Sequence, residues 1–368
     1  MNAAALPFID LHAGDEGPAV RDAIDRVLAR AWFVLGPEVE AFEHEFAAAS
    51  GARFAIGVGN GTDAIALLLR AAGIGAGDEV IVPAMTAAFT ALAVTSIGAT
   101  PVWADVAAET LTLDPAAAGA AVTSRTRAIV PVHLYGQAAD LDPLYALADK
   151  HSLAVVEDCC QAHLATCRSV PVGTRGFGGA FSFYPTKNLG ALGDGGAVIT
   201  NDAPLAERVR RVRNGGQRDR YHHVEAGVNS RLDELQAAVL RAKLPHVRTW
   251  TARRRELAAL YRRALPTAVT PIAERDNGHV YHLFPILADC RDELQQHLRT
   301  AGIDTLIHYP VALPAQEAFA EYRRNVCPVA DRASRELLSL PLHPRMSDDD
   351  VRRVTDAIEG FLKGRMPQ

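Results

Sequence analysis

The chain has 368 residues, 49% of them hydrophobic and 22% charged, which provides apolar material for one large and one smaller folded domain. A formal net charge of -5, with Lys and Arg scattered apart from short runs such as RRVR and ARRRE, argues against a nucleic-acid partner. The five cysteines offer no second cluster to complete a zinc site beside Cys159, Cys160 and Cys167, so reduced core thiols and no metal are expected.

The opening residues, MNAAALPFIDLHAGDEG, contain no basic segment followed by an apolar one, and the weakly polar run 87–104 is broken by Thr, Ser, Gly and Pro. No secretory signal and no membrane span are expected, and the cytoplasm is the expected location. RFAIGV, DEVIVP, TPVWADV, RAIVPVHL and LAVVED read as strands, separated by the helical patterns DAIALLLRAAG, AAFTALAVTSIG and LDPLYALADKHS. This alternation predicts an α/β fold with a doubly wound, mainly parallel sheet, whose ligands bind beyond the carboxyl ends of the strands. Two more strand-like runs, GAFSFYPT and GGAVITN, precede helices at APLAERVRRVRNGG and RLDELQAAVLRAKL. The long charged helix through TWTARRRELAALYRRAL then leads the chain away. The remainder, with strand-like VYHLFPILA and DTLIHYP and helices near Asp292–Thr300 and Ser347–Phe361, reads as a small α+β domain. A boundary near Pro245 divides a large domain (1–245, with the N-terminal segment) from a small C-terminal domain (246–368).

Three motifs carry chemistry. GVGNGTDAI follows a strand and opens a helix, so Gly61 and Thr62 form either a tight turn or a phosphate site built on free N–H groups. It matches neither a dinucleotide fingerprint nor a triphosphate loop. VVEDCCQAH ends a buried strand on Glu157 and Asp158. A carboxylate there is a helix cap, a core ion pair, or the partner of a cationic heterocyclic nitrogen. In SFYPTKNLG, Lys187 is either a loop lysine or, desolvated among apolar strands, an amine of lowered pKa able to form a Schiff base. Ser182, earlier on the same segment, suits a phosphate oxygen. Together an anion cradle, a carboxylate and an amine match the phosphate, the ring nitrogen and the aldehyde of pyridoxal 5′-phosphate.

These motifs, with VPAMT, PVHLYGQAADLDPL, GVNSRLDELQAA and IHYP, resemble those of the DegT/StrS-type sugar aminotransferases, fold-type I pyridoxal-phosphate enzymes. The resemblance runs from about Phe8 to the final helix. It implies Lys187 as the Schiff-base lysine, Asp158 on the pyridinium proton and Gln161 beside the ring hydroxyl. Gly61, Thr62 and Ser182 would hold the phosphate, with Asn229 reaching from a second subunit, so the resemblance implies a homodimer with shared active sites. Tyr184 and Tyr309 match positions lining the sugar pocket and are otherwise core aromatics. Arg220 and Tyr221 suit a nucleotide diphosphate or a solvated loop, and His133 and His163 are pocket or core histidines. The implied reaction moves an amino group from glutamate or glutamine to a nucleotide-linked keto sugar. Tyr184, where C4 enzymes commonly have His, favours C3 of a dTDP-3-keto-6-deoxyhexose. A C4 enzyme, a cyclitol aminotransferase and a non-catalytic regulator are the alternatives. Three positions depart from the pattern. Ala87 stands where an aromatic usually stacks on the cofactor, leaving Phe89 or another ring for that task. Cys159 and Cys160 replace small residues, and Leu164 replaces a glycine.

Overall fold

The computed structural model describes residues 5–365, so the outer ends of the two expected domain ranges, 1–4 and 366–368, lie outside the described residues. Two helices that the periodicity reading did not anticipate, α1 (Gly17–Arg30) and α2 (Pro37–Ser50), come first. Both begin with a proline in the first turn, where its missing N–H costs nothing. Then follow β1 (Phe54–Val58), α3 (Gly61–Ala71), β2 (Glu79–Pro83), α4 (Ala88–Ser96), β3 (Thr100–Ala104), α5 (Pro115–Ala120), β4 (Thr126–Ile129), α6 (Leu141–His151) and β5 (Ala154–Asp158). A short pair, β6 (Thr166–Cys167) and β7 (Val170–Pro171), precedes β8 (Gly178–Ser182), β9 (Gly196–Thr200) and α7 (Ala203–Val212).

The seven-stranded sheet has the order β1-β9-β8-β5-β4-β2-β3. Its pairings are parallel from β3 across to β8, and β9 alone runs against its neighbours β8 and β1. The expected mainly parallel α/β sheet is therefore observed. Side chains alternate between its faces as strand geometry requires. Val80, Val82 and Val156 join the core under α3, α4 and α7, while Ile81, Ile129 and Val155 join the one under α5 and α6. The same alternation separates Glu157 from Asp158 at the end of β5. Gly196 lets β9 graze the start of α3, because a Cβ there would lie 2.4 Å from the Asn60 carbonyl carbon.

A hairpin, β10 (Gln217–Asp219) and β11 (His222–His223), leads to α8 (Glu234–Lys243) and the 18-residue α9 (Val247–Ala264). The rest comprises β12 (Thr270–Pro271), β13 (Phe284–Leu287), α10 (Arg291–Thr300), α11 (Pro328–Glu336), β14 (Leu337–Leu340) and α12 (Asp348–Arg365). The three β-strands of this part form one antiparallel sheet, and Leu257, Tyr261, Phe284, Leu340 and Val354 share its core. Leu6 packs there too, bridging Ile303. The strand expected at DTLIHYP is absent. Leu306 makes a single bridge to Ser339, after which the chain turns so that His308 and Tyr309 reach the site described below. Among the described residues no helix is long and apolar enough to cross a membrane.

Candidate active site

Asp158 ends β5 on the face toward α4. Its Oδ2 accepts from Thr90 Oγ1 at 2.8 Å and its Oδ1 from the Cys160 N–H at 3.0 Å. Thr90 lies in the first turn of α4, and the hydroxyl of Thr86, just before that helix, is 3.3 Å from its own. Phe89, one of the rings the sequence reading left open for stacking, is 63% exposed within one chain. Glu157 points the other way. It accepts from Tyr145 Oη at 2.7 Å and the Gly173 N–H at 2.7 Å, with His133 Nε2 at 2.8 Å. His133 Nδ1 accepts the Ala139 N–H at 3.1 Å, which leaves the Nε2 proton for Glu157. With Cys159 these two residues form a compact buried group, but burial pushes the thiol pKa well up, and the carboxylate is already satisfied by donors. His133 is a core histidine.

Lys187 sits in the loop after β8, where its backbone N–H closes a turn onto the Tyr184 carbonyl at 2.8 Å. Burial lowers its amine pKa below the usual lysine value, and the nearby Cys160 and Asp158 oppose that shift only in part. Asn188 anchors the loop, donating to the Val280 carbonyl at 3.0 Å with His282 Nδ1 3.3 Å from its Oδ1. His282 is held neutral by burial first, then by the cations Lys187 and Arg254.

The start of α3 approaches from the other side. Asn60 caps the helix by accepting the Asp63 N–H at 2.9 Å, so the N–H groups of Gly61 and Thr62 are left at its tip. A Cβ on Gly61 would lie 2.6 Å from Cys160 Sγ and 2.7 Å from Ser182 Cβ, so only glycine lets these parts meet. Ser182 Oγ accepts the Tyr184 N–H at 3.3 Å. His163 Nε2 lies 2.9 Å from the Ser182 carbonyl while its Nδ1 is buried without a partner, and burial holds its pKa down at about 3. Leu164, in the glycine position, adopts φ 60°, a left-handed conformation costing a side chain about 1 kcal/mol.

Gln161 links the remaining residues. It accepts the Tyr135 N–H at 2.6 Å and donates to Tyr309 Oη at 3.0 Å, while Tyr135 Oη donates to the His308 carbonyl at 2.6 Å. Tyr135 is held at φ 61° by these contacts, a strained backbone of the kind found at functional sites. Tyr184 is 52% exposed at the rim.

The structure thus brings together Gly61, Thr62, Asp158, Gln161, His163, Ser182, Lys187 and Tyr309. It does not bring Asn229, Arg220 or Tyr221 to them within one chain. Asn229 is exposed and bridges Asn214, and Arg220 donates only to Tyr221 Oη at 3.2 Å on the exposed hairpin. The sequence reading missed Thr90, Asn188, His282 and Tyr135. All four depend on tertiary contacts that no local sequence pattern announces.

The chain matches the DegT/DnrJ/EryC1/StrS aminotransferase family over residues 15–359. It is 48% identical over 365 residues, 97% of this chain and 96% of the relative, to a dTDP-3-amino-3,4,6-trideoxy-alpha-D-glucose transaminase of Streptomyces venezuelae. It is 44% identical over 367 residues, 97% of this chain and 99% of the relative, to a pleiotropic regulatory protein of Geobacillus stearothermophilus. The solved structure of DesV from S. venezuelae superposes with a TM-score of 0.96 at 46% identity, covering 99% of this chain and 100% of that one. A full-length match of this kind, on a sheet and site of this construction, means that the chain belongs to the DegT/DnrJ/EryC1/StrS aminotransferase family and is a sugar transaminase.

Proposed function

We propose that the chain moves an amino group from glutamate, or glutamine, to C3 of a dTDP-linked 3-keto-6-deoxyhexose, with pyridoxal 5′-phosphate as cofactor. One observation carries the cofactor reading: an amine, a carboxylate and a helix tip converge on Cys160. Its N–H binds Asp158, its sulfur occupies the space a Cβ of Gly61 would need, and the buried Lys187 amine lies close to both it and Asp158. The residues fit the group chemically. Gly61, Thr62 and Ser182 provide donors for a phosphate, Asp158 an acceptor for a ring N–H, and Lys187 an amine with no hydrogen bond or ion pair among the described residues.

When bound, the cofactor supplies an electron-withdrawing ring that takes up the charge left as the donor loses its α-proton. Asp158, aimed by Thr90 and the Cys160 N–H, would accept a hydrogen bond from the ring nitrogen and hold it protonated. Lys187 Nζ, its pKa lowered by burial, would take up and return the donor's α-proton with the cofactor bound. Gln161 orients the ring hydroxyl while Tyr309, Tyr184 and His163 bound the sugar side. C3 is supported by Tyr184 and by the 3-amino sugar transaminase activity of the 48% identical relative. Asn229, Arg220 and Tyr221, exposed in one chain, are assigned to the partner's phosphate and nucleotide sites in a homodimer of cytoplasmic location. The division into domains near Pro245 belongs to the same proposal.

The test supplies purified chain with cofactor, glutamate and a nucleotide-linked 3-keto-6-deoxyhexose, and locates nitrogen in the product by NMR. Nitrogen on C3 is expected, with the 4-keto isomer a poor substrate because the carbonyl is displaced from attack geometry. Amination of the 4-keto sugar alone would move the assignment to C4. Failure of glutamate to yield its keto acid in a single turnover would favour a regulator, as in the 44% identical pleiotropic regulatory protein.

A further inference from the structure

Residues 7–13 form a strap held by very little. Leu6 is fixed on both sides by main-chain bonds, from its N–H to the Gly302 carbonyl at 2.8 Å and from the Asp304 N–H to its own carbonyl at 3.0 Å. Gly14 is fixed at the other end, accepting the Gly17 N–H at 2.9 Å. Between them, among the described residues, no main-chain group bonds to another main-chain group, and the His12 N–H turns back onto Asp10 Oδ1 at 2.9 Å. A stretch without backbone partners opens at little cost. Two side-chain contacts hold it down. Phe8 stacks on His308 with ring centroids 5.7 Å apart, and Arg345, itself anchored by Glu16 at 3.6 Å, reaches Asp10 at 3.1 Å. The His12 N–H and Arg345 keep the Asp10 pKa down at about 2, so this latch stays charged at neutral pH.

Ile9, Asp10, Leu11 and His12 form one wall of a cavity of about 100 Å³ that Lys187 and Asn188 also line. That volume is below the roughly 300 Å³ at which small-molecule sites begin, so a larger ligand entering on this side needs the strap to move. Both contacts sit where such a movement would count, since His308 precedes Tyr309 and Arg345 borders the cavity itself. We propose that the strap is a lid over Lys187, latched by Arg345 through Asp10, which swings aside to admit reactants and closes to keep water out. This rests on the reading of Lys187 as the cofactor lysine.

Hydroxylamine, uncharged at neutral pH and so indifferent to the charges of the latch, strips a Schiff-base cofactor from its lysine as the oxime. Loss of colour in the cofactor-loaded protein therefore times its access to Lys187. Arg345→Gln and Asp10→Asn should each speed that loss by about fivefold, the population change expected when partly exposed ion pairs are removed. Added salt should bring the wild type toward the variants and leave the variants nearly unchanged, because ions screen such pairs. Arg253→Gln is the control. It loses bonds of 2.8 Å to the Met346 carbonyl and to Asp348, close to Arg345 in sequence, but Arg253 bonds to no strap residue, so its rate should match wild type. Rates in Arg345→Gln and Asp10→Asn equal to wild type, or an equal acceleration in Arg253→Gln, overturn the lid. Peptide mapping after borohydride reduction separates this from the underlying reading, which fails if no cofactor mass lies on Lys187. The lid is then decided in cofactor-free protein by acetylation of Lys187 with N-succinimidyl acetate, faster in the same two variants if the lid stands and unchanged if it does not.

Discussion

Asp158 is placed by a strand end and aimed by two donors, and the two contributions are separable by mutation. Asp158→Asn retains the shape and both neighbours but lacks the charge that keeps a ring nitrogen protonated. It should still bind cofactor, visible by its absorbance, yet lose turnover by about a hundredfold or more. Thr90→Val deletes the 2.8 Å hydrogen bond to Oδ2 while keeping the volume, and should cost roughly tenfold, the size expected when one hydrogen bond to a charged group is lost. Equal, near-wild-type rates in both variants would mean that another group serves the ring nitrogen. Steady-state kinetics with saturating cofactor decides it. Asp158 was legible in the sequence because a carboxylate closing an apolar strand needs a reason. Thr90 was not singled out, since a threonine in a largely apolar helix is unremarkable until the register of α4 against β5 is known.

At the scale of elements, the loop between α1 and α2 is fixed from a distance. Glu234, the first residue of α8, is fully buried and accepts the N–H groups of Gly36, Glu38 and Val39 at 2.9, 2.9 and 2.8 Å, capping α2 with a side chain nearly 200 positions away in sequence. Glu234→Ala leaves these donors without their acceptor. At about 1–3 kcal/mol for each unsatisfied buried group, and with some relaxation toward water, a loss of about 3 kcal/mol in urea unfolding is expected. A loss below about 1 kcal/mol would show that the cap is dispensable. This arrangement marks where sequence reading stops. The strands from RFAIGV to LAVVED were legible because apolar runs bounded by glycine and proline announce buried strands without tertiary information. The helices α1 and α2 were overlooked, although Pro18 and Pro37 each mark a helix start. DTLIHYP reads as a strand from its composition, but Ser339 offers it a partner at one residue only, and Pro310 lacks the N–H to continue.

At the scale of the whole molecule, a single chain leaves the proposed site unfinished. Asn229 is exposed beside its bridge to Asn214, and Tyr221 is 79% exposed on the β10–β11 hairpin. The apolar side chains of Trp32, Phe33 and Val34 are likewise exposed, on the loop that Glu234 anchors. A homodimer in which each chain lends Asn229 to its partner accounts for both features, and subunit mixing tests it. Lys187→Ala and Asn229→Ala proteins should each be nearly inactive alone. In a mixed dimer with sharing in trans, one site carries both lesions and the other carries neither. Random exchange makes half of the dimers mixed, with half of their sites intact, so activity should recover to about a quarter of wild type. Were Asn229 to act within its own chain, every site in the mixed dimer would carry one lesion. Mixed dimers verified by mass that stay as inactive as the parents would therefore place Asn229 in its own chain's site or outside catalysis altogether.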